Sequence, residues 1–157
     1  MPNARRSWLA LLWFSAVLVG LAVRPAHTSE RPARDELQDI VDDLKRQLGI
    51  DAPVTAAIVS HNPRLVSVNP VQGTAGTFVM SFEEGFVAEV DADELRAIVA
   101  HELGHVWIFT HHPYLQTERL ANSIALRVVS RASLERVYAR VWQRDGTKGD
   151  LTQFLGQ

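Results

Sequence analysis

Two histidines and a glutamate in the middle of the chain have the types and spacing of a hydrolytic metal site. The segment 100-AHELGHVWIFTHH-112 places His101, Glu102 and His105 in an H-E-x-x-H arrangement. On a helix, residues i and i+4 lie on one face, so both imidazoles reach the same ion. Zinc accepts such ligands in a tetrahedral shell, and the adjacent glutamate is then the general base for a zinc-activated water. The spacing predicts His101 and His105 as metal ligands and Glu102 as the catalytic base.

The third ligand has two candidates. His111 follows at the spacing of the signature H-E-x-x-H-x-x-G-x-x-H, but Ile108 stands where that signature has the glycine that turns the chain back. Glu118 is the other candidate, and Asn122, one helical turn later, can hold a ligand histidine by its second ring nitrogen. Two histidines and a glutamate form a catalytic set with one open position. The residues favour Glu118 and leave His111 as the alternative.

The elements around these residues predict one small α+β domain. Segments rich in β-branched and aromatic residues predict three short strands: residues 54–60, 64–68 and 77–82. Apolar residues at helical spacing predict helices over residues 35–48, over 92–109, and from about 115 with a pause at 130–133 before 134–142. Asp91 and Glu94 form a capping-box pattern at the start of the helix that carries the H-E-x-x-H residues.

Composition restricts the partners and the ligand chemistry. The chain has 157 residues, of which 46% are hydrophobic and 22% are charged, as in an ordinary globular domain. A net charge of −2 without a basic block argues against a nucleic-acid partner. Because cysteine is absent, disulfides, thiolate ligands and cysteine nucleophiles are excluded, and any metal is held by His, Asp or Glu.

Residues 1–29 have the pattern of a secretory signal peptide. Arg5 and Arg6 precede an apolar run over residues 8–23, and cleavage is expected after Ala26 or Ser29. The run is shorter than the ~20 residues that a spanning helix needs, so membrane association is expected only if the segment stays uncleaved. We expect an exported protein, periplasmic in a bacterium or secreted. A single domain over residues 30–143 is followed by a loose polar tail over 144–157.

The run 85-GFVAEVDADELRAIVAHELGH-105, together with 118-ERLAN-122, resembles the gluzincin metallopeptidases of the CAAX prenyl protease and HtpX type. In its small size the chain is similar to the exported minigluzincins. The resemblance implies a zincin-like fold, in which a short mixed sheet packs on the active-site helix and on a following glutamate-bearing helix. It implies a zinc metalloendopeptidase with one catalytic Zn²⁺ held by His101, His105 and Glu118, and with Glu102 as base.

The resemblance also sets expectations about substrate and catalysis. It implies that a peptide or protein substrate binds as an extended strand along the predicted edge strand over residues 77–82. Asn122 stands where the family has aspartate, and the transition-state stabiliser has only weak candidates: Arg127, Arg131, His112 and Tyr114. Two alternatives follow: a zinc-binding but non-catalytic envelope module, and a latent protease whose N-terminal helix over residues 35–48 covers the cleft. The sequence sets no oligomeric state.

Overall fold

The computed structural model describes residues 30–156; the predicted signal peptide, residues 1–29, lies outside the described residues. The described chain forms six helices and three strands, which confirms the predicted α+β class. In chain order they are α1 (Glu30–Leu48), β1 (Val54–Val59), β2 (Val66–Pro70), β3 (Phe78–Glu83), α2 (Glu84–Val87), α3 (Ala92–His111), α4 (Glu118–Ala125), α5 (Arg131–Asp145) and α6 (Leu151–Leu155). No helix among the described residues has the length and apolarity needed to cross a membrane.

The sheet is mixed, with the strand order β1-β3-β2. Strand β1 pairs parallel to β3, and β2 pairs antiparallel to β3 on its other side. Phe78, Met80 and Phe82 of β3 are all buried, which suits a central strand covered by helices. The prediction that residues 77–82 form the substrate-facing edge strand is therefore wrong: β2 is the edge strand on the side of the cleft.

Helix α3 is the central element of the helical layer. The predicted capping box is confirmed: the Asp91 carboxylate accepts from Glu94 N at 2.8 Å, and the Glu94 carboxylate accepts from Asp91 N at 2.9 Å. The buried Glu94 also accepts from Arg140 of α5 at 2.9 Å, so the start of α3 is tied to α5. A paired buried carboxylate avoids the cost of an isolated charge and fixes the angle at which α3 enters the core.

The described residues 151–155 form a helix that docks on the domain, in contrast to the loose tail predicted over 144–157. Helix α5 ends with Gly146 in the left-handed region (φ 65°), and the chain turns back to form α6. Leu155 is buried, and the Phe154 ring lies 5.2 Å from that of Tyr138. The prediction rested on the polar residues 144–150 and overlooked the apolar residues of α6, which dock the segment.

Candidate metal centre

Helices α3 and α4 bring together the three predicted ligands. His101 and His105 lie one turn apart on α3, with 3.2 Å between their Nε2 atoms. Glu118, the first residue of α4, places Oε2 at 3.1 Å from His101 Nε2 and Oε1 at 3.6 Å from His105 Nε2. A tetrahedral metal with bonds of about 2.0–2.1 Å needs donor atoms roughly 3.3 Å apart. The separation of the three donors and their nitrogen and oxygen chemistry therefore fit one zinc ion.

Asn122 orients the first of these histidines. Its side chain is fully buried and lies with Oδ1 at 2.8 Å from His101 Nδ1. Its Nδ2 donates to Tyr138 Oη at 2.7 Å and to the carbonyl oxygen of Phe154 at 3.1 Å. Because a carbonyl oxygen only accepts, Nδ2 must face Phe154, and His101 must carry its proton on Nδ1. The lone pair of His101 Nε2 is thereby directed to the metal position.

Gln116 does the same for the second histidine. Its Nε2 donates to the backbone oxygen of His105 at 3.2 Å, and its Oε1 lies 3.1 Å from His105 Nδ1. The same reasoning assigns the proton to Nδ1 of His105 and leaves Nε2 free. The sequence pattern did not indicate Gln116, which lies in the loop before α4 and has no helical spacing to the ligands.

The charged groups of the site shift one another's pKa values. When the imidazoles of His101 and His105 also carry a proton on Nε2, their hydrogen bonds to Glu118 hold the pKa of that carboxyl group well below its usual range. Burial by itself lowers the pKa of His105, but hydrogen bonds with Glu118 and Gln116 outweigh it, so the net shift is upward. A proton and a metal ion compete for the His105 nitrogen, so metal binding here is sensitive to mild acid.

Glu102 lies beside the ligands inside the cleft. Burial raises the pKa of its carboxyl group, while the neighbouring His101 and His105 and a hydrogen bond from the backbone N–H of Val68 act in the opposite direction. A carboxyl group with a raised pKa releases and takes up a proton closer to neutral pH, which suits a general base.

The cleft has a volume of about 490 Å³ and lies between the β2 edge and the helices α3, α4 and α5. His101, Glu102, His105 and Glu118 all line it. Among the residues whose side chains the structure describes, none of 35–48 lines it, since α1 buries its apolar face against β1 and α3 through residues such as Val41. The alternative of a protease masked by its N-terminal helix is therefore wrong in this structure.

The other predicted residues lie away from the cleft. His111 stacks on Trp107 with 4.2 Å between ring centroids and is not part of the cluster of His101, His105 and Glu118. The four residues predicted as possible transition-state stabilisers do not line the cleft; they are Arg127, Arg131, His112 and Tyr114. Tyr138 of α5 does line it, and the sequence analysis missed it because its distance from the ligands in the chain carries no signal.

The comparisons with known proteins identify the family of the chain. Residues 33–155 match the family model for peptidase family M48, and the chain belongs to that family, as its resemblance implied. It is similar to the protease HtpX homologue of Salinibacter ruber, with 30% identity over 94 residues, 60% of this chain and 33% of that protein. It is also 33% identical over 94 residues to the protease HtpX homologue of Pyrococcus abyssi, 60% of this chain and 31% of that protein. The chain thus spans about a third of the length of these relatives.

A solved structure supports the fold. The crystal structure of the metallopeptidase zymogen of Pyrococcus abyssi abylysin superposes with a TM-score of 0.51 at 17% identity. The match covers 73% of this chain and 99% of abylysin. The match extends over nearly the whole of that crystallised chain, so the described part of this chain shares its fold.

Proposed function

We propose that the protein is a zinc-dependent metalloendopeptidase with the two-histidine, one-glutamate ligand set of the gluzincins. The observation that carries the proposal is the cluster of His101, His105 and Glu118, whose ligand atoms all lie within 4.8 Å of one another, with Glu102 beside them in a cleft. Membership of peptidase family M48 gives the same reaction class. Export to the periplasm or medium is part of the proposal and rests on residues 1–29 alone.

The residues of the chain divide the work of hydrolysis. A zinc ion bound by the three ligands would polarise a peptide carbonyl. It would also lower the pKa of a water molecule, so that this water loses a proton and attacks the carbonyl near neutral pH. Glu102 takes the proton of the attacking water on its carboxylate and delivers it to the leaving amine. Asn122 and Gln116 keep the two histidines in the tautomer that binds metal.

The substrate is proposed to bind as an extended strand along β2. Hydrogen bonds from Glu83 N to Leu65 O (2.7 Å) and from Val71 N to Thr77 O (2.8 Å) show which residues of β2 and β3 form the hydrogen-bonded pairs of the ladder. In an antiparallel ladder the alternate residues point their backbone groups away from the partner strand. Val66 and Val68 therefore direct their N–H and C=O groups to the open edge.

This open edge presents acceptors and not donors. The N–H of Val66 is bonded to Arg64 O at 2.7 Å, across a turn in which Leu65 has φ 63°. The N–H of Val68 is directed at the Glu102 carboxylate and lowers its pKa, and Pro70 has no N–H. The carbonyl oxygens of Val66 and Val68 remain for a substrate, which must supply its own N–H groups at two alternate positions.

Peptides with single amide-to-ester replacements test this binding mode. Two substrate N–H groups, separated by one residue, donate to the carbonyl oxygens of Val66 and Val68 in this binding mode. Replacing either N–H by oxygen should lower kcat/KM by about 2–10-fold, since its hydrogen bond is lost. Replacement at the residue between them should have little effect. Rates would be compared with that of the all-amide peptide, and uniform sensitivity along the peptide would contradict pairing with β2.

Replacing Glu102 with glutamine tests the reaction itself. The zinc-loaded protein should cleave members of a diverse peptide library, and Glu102→Gln should lower the rate by about 10²–10⁴-fold because the base is lost. Glu36→Gln, on the exposed face of α1, is the matched control and should cleave like the unmodified protein. Equal cleavage by Glu102→Gln and the unmodified protein would contradict the role of Glu102.

The second candidate function is a zinc-binding envelope module without catalytic activity. It is favoured by one observation: none of the four arginine, histidine and tyrosine residues considered as stabilisers lines the cleft. Stoichiometric zinc binding without cleavage of any peptide in the library would favour this module over the peptidase.

A further inference from the structure

We infer that Tyr138 and the C-terminal segment, defined as residues 150–156, are positioning elements of the metal site. They hold the Asn122 amide in the one orientation that makes His101 a metal ligand. The inference rests on the proposed metal centre and adds to it a dependence on residues that follow Asn122 by up to 34 positions in the chain.

First, the Asn122 amide makes three hydrogen bonds that fix its orientation. Its oxygen accepts from His101 Nδ1 at 2.8 Å, and its nitrogen donates both hydrogens, to Tyr138 Oη at 2.7 Å and to Phe154 O at 3.1 Å. A rotation of the amide by 180° would place two oxygens together at Phe154 and two donors together at His101. The Phe154 carbonyl oxygen, which can only accept, therefore decides which end of the amide faces the imidazole, and Tyr138 Oη accepts the second amide hydrogen and so stabilises that orientation.

The second step is the attachment of the C-terminal segment. Arg131, near the start of α5, donates to Leu155 O at 3.2 Å and to Gly156 O at 2.7 Å. Leu155 is buried, and the Phe154 ring packs on the rings of Tyr138 and Trp142. These contacts fix the carbonyl oxygen of Phe154 against Asn122.

The third step is the position of this segment relative to the cleft. None of residues 144–156 lines the cleft, whereas Tyr138 lies on the cleft wall, with its ring centroid 6.4 Å from that of His101. The segment thus supports the metal site from behind and does not cover it. Loosening it should weaken metal binding, which is the opposite of what release of a mask would do.

Zinc affinity, measured by competition with a chromophoric chelator at fixed pH, tests the inference without relying on catalysis. The full chain would carry Tyr138→Phe, which removes only the hydroxyl acceptor, or Arg131→Gln, which releases the C-terminal carbonyls. Each should raise the Kd for zinc by about 3–10-fold, and Asn122→Ala should raise it by about 10–100-fold, the range for lost outer-shell partners. Tyr114→Phe, at a tyrosine that is 97% exposed, is the matched control and should leave the Kd unchanged.

A double-mutant cycle separates positioning from general support of the fold. If Tyr138 acts through the amide, Tyr138→Phe in the Asn122→Ala background should cause no further loss of zinc affinity. An unchanged Kd for Tyr138→Phe, or an equal loss in both backgrounds, would overturn the inference. Failure of the unmodified protein to bind one zinc ion would instead overturn the proposed metal centre, so the two failures are distinguishable.

Discussion

Glu118→Gln is expected to raise the Kd for zinc by about two orders of magnitude while leaving the fold intact. Glu118 is the proposed third ligand: its Oε2 lies 3.1 Å from His101 Nε2, and its Oε1 lies 3.6 Å from His105 Nε2. Zinc sites with four ligands bind with about 10–16 kcal/mol, so one ligand accounts for roughly 3 kcal/mol, and an amide oxygen replaces a carboxylate poorly. The Glu118 side chain is 53% exposed, so the loss of its charge should change the stability of the metal-free protein little.

The controls for Glu118→Gln distinguish the two candidate ligands of the sequence analysis. His111→Ala should leave the zinc Kd unchanged, because the His111 ring stacks on Trp107 and its Nδ1 bonds to the backbone of that residue. The measurement is the same chelator competition, together with far-UV circular dichroism to show that both variants fold. A loss of affinity in His111→Ala with none in Glu118→Gln would exchange the roles of the two residues.

The part of the site on one helix could be predicted from the sequence because short-range geometry decides it. His101 and His105 face the same way on any α-helix, and the capping box at Asp91 fixes where that helix begins. Glu118 could be chosen over His111 because the chain needs a residue able to turn at Ile108 before His111 could return to the metal. The pairing of His101 with His105 and the case against His111 both depend only on neighbours within about two helical turns.

The rest of the site depends on contacts that spacing does not encode. The alternating residues of β3 predict a strand with one buried face, but they do not say which strands flank it. Gln116 and Tyr138 reach the ligand histidines only because α4 and α5 pack on α3. The same packing brings the C-terminal carbonyl oxygens to Asn122 and Arg131. The sequence did not predict these contacts, because the polar residues 144–150 indicated a loose tail.

The two histidines proposed as metal ligands share a feature with a chemical consequence. Both are held through Nδ1 by amides, Asn122 and Gln116, where a carboxylate would make the imidazole more basic. A neutral partner fixes the tautomer and the ring orientation but donates less charge to the metal. The site therefore depends more on exact placement of its helices than a site with carboxylate partners does.

Gly104→Ala is the substitution expected to disturb that placement most. Gly104 lies on α3 between the two ligand histidines, and an added Cβ would lie 2.5 Å from Ala121 O and 2.9 Å from Ala121 Cα of α4. Both contacts are with backbone, so α3 and α4 must move apart by on the order of 1 Å to reach an ordinary contact. The higher helix propensity of alanine, about 1 kcal/mol, is offset by overpacking of about 1–3 kcal/mol.

The larger effect of Gly104→Ala is on the metal centre, because α3 carries two ligands and α4 carries the third. A displacement of about 1 Å between them should lower peptidase activity by on the order of 100-fold and weaken zinc binding in parallel. Ala139→Gly, on the exposed side of α5, is the matched control: it lowers helix propensity by about 1 kcal/mol without touching the α3–α4 contact. Thermal unfolding with and without zinc measures the stability of the fold and the binding of zinc, and peptide cleavage measures the activity. If Gly104→Ala keeps the zinc-induced rise in Tm of the unmodified protein, the close approach of the two helices does not position the ligands.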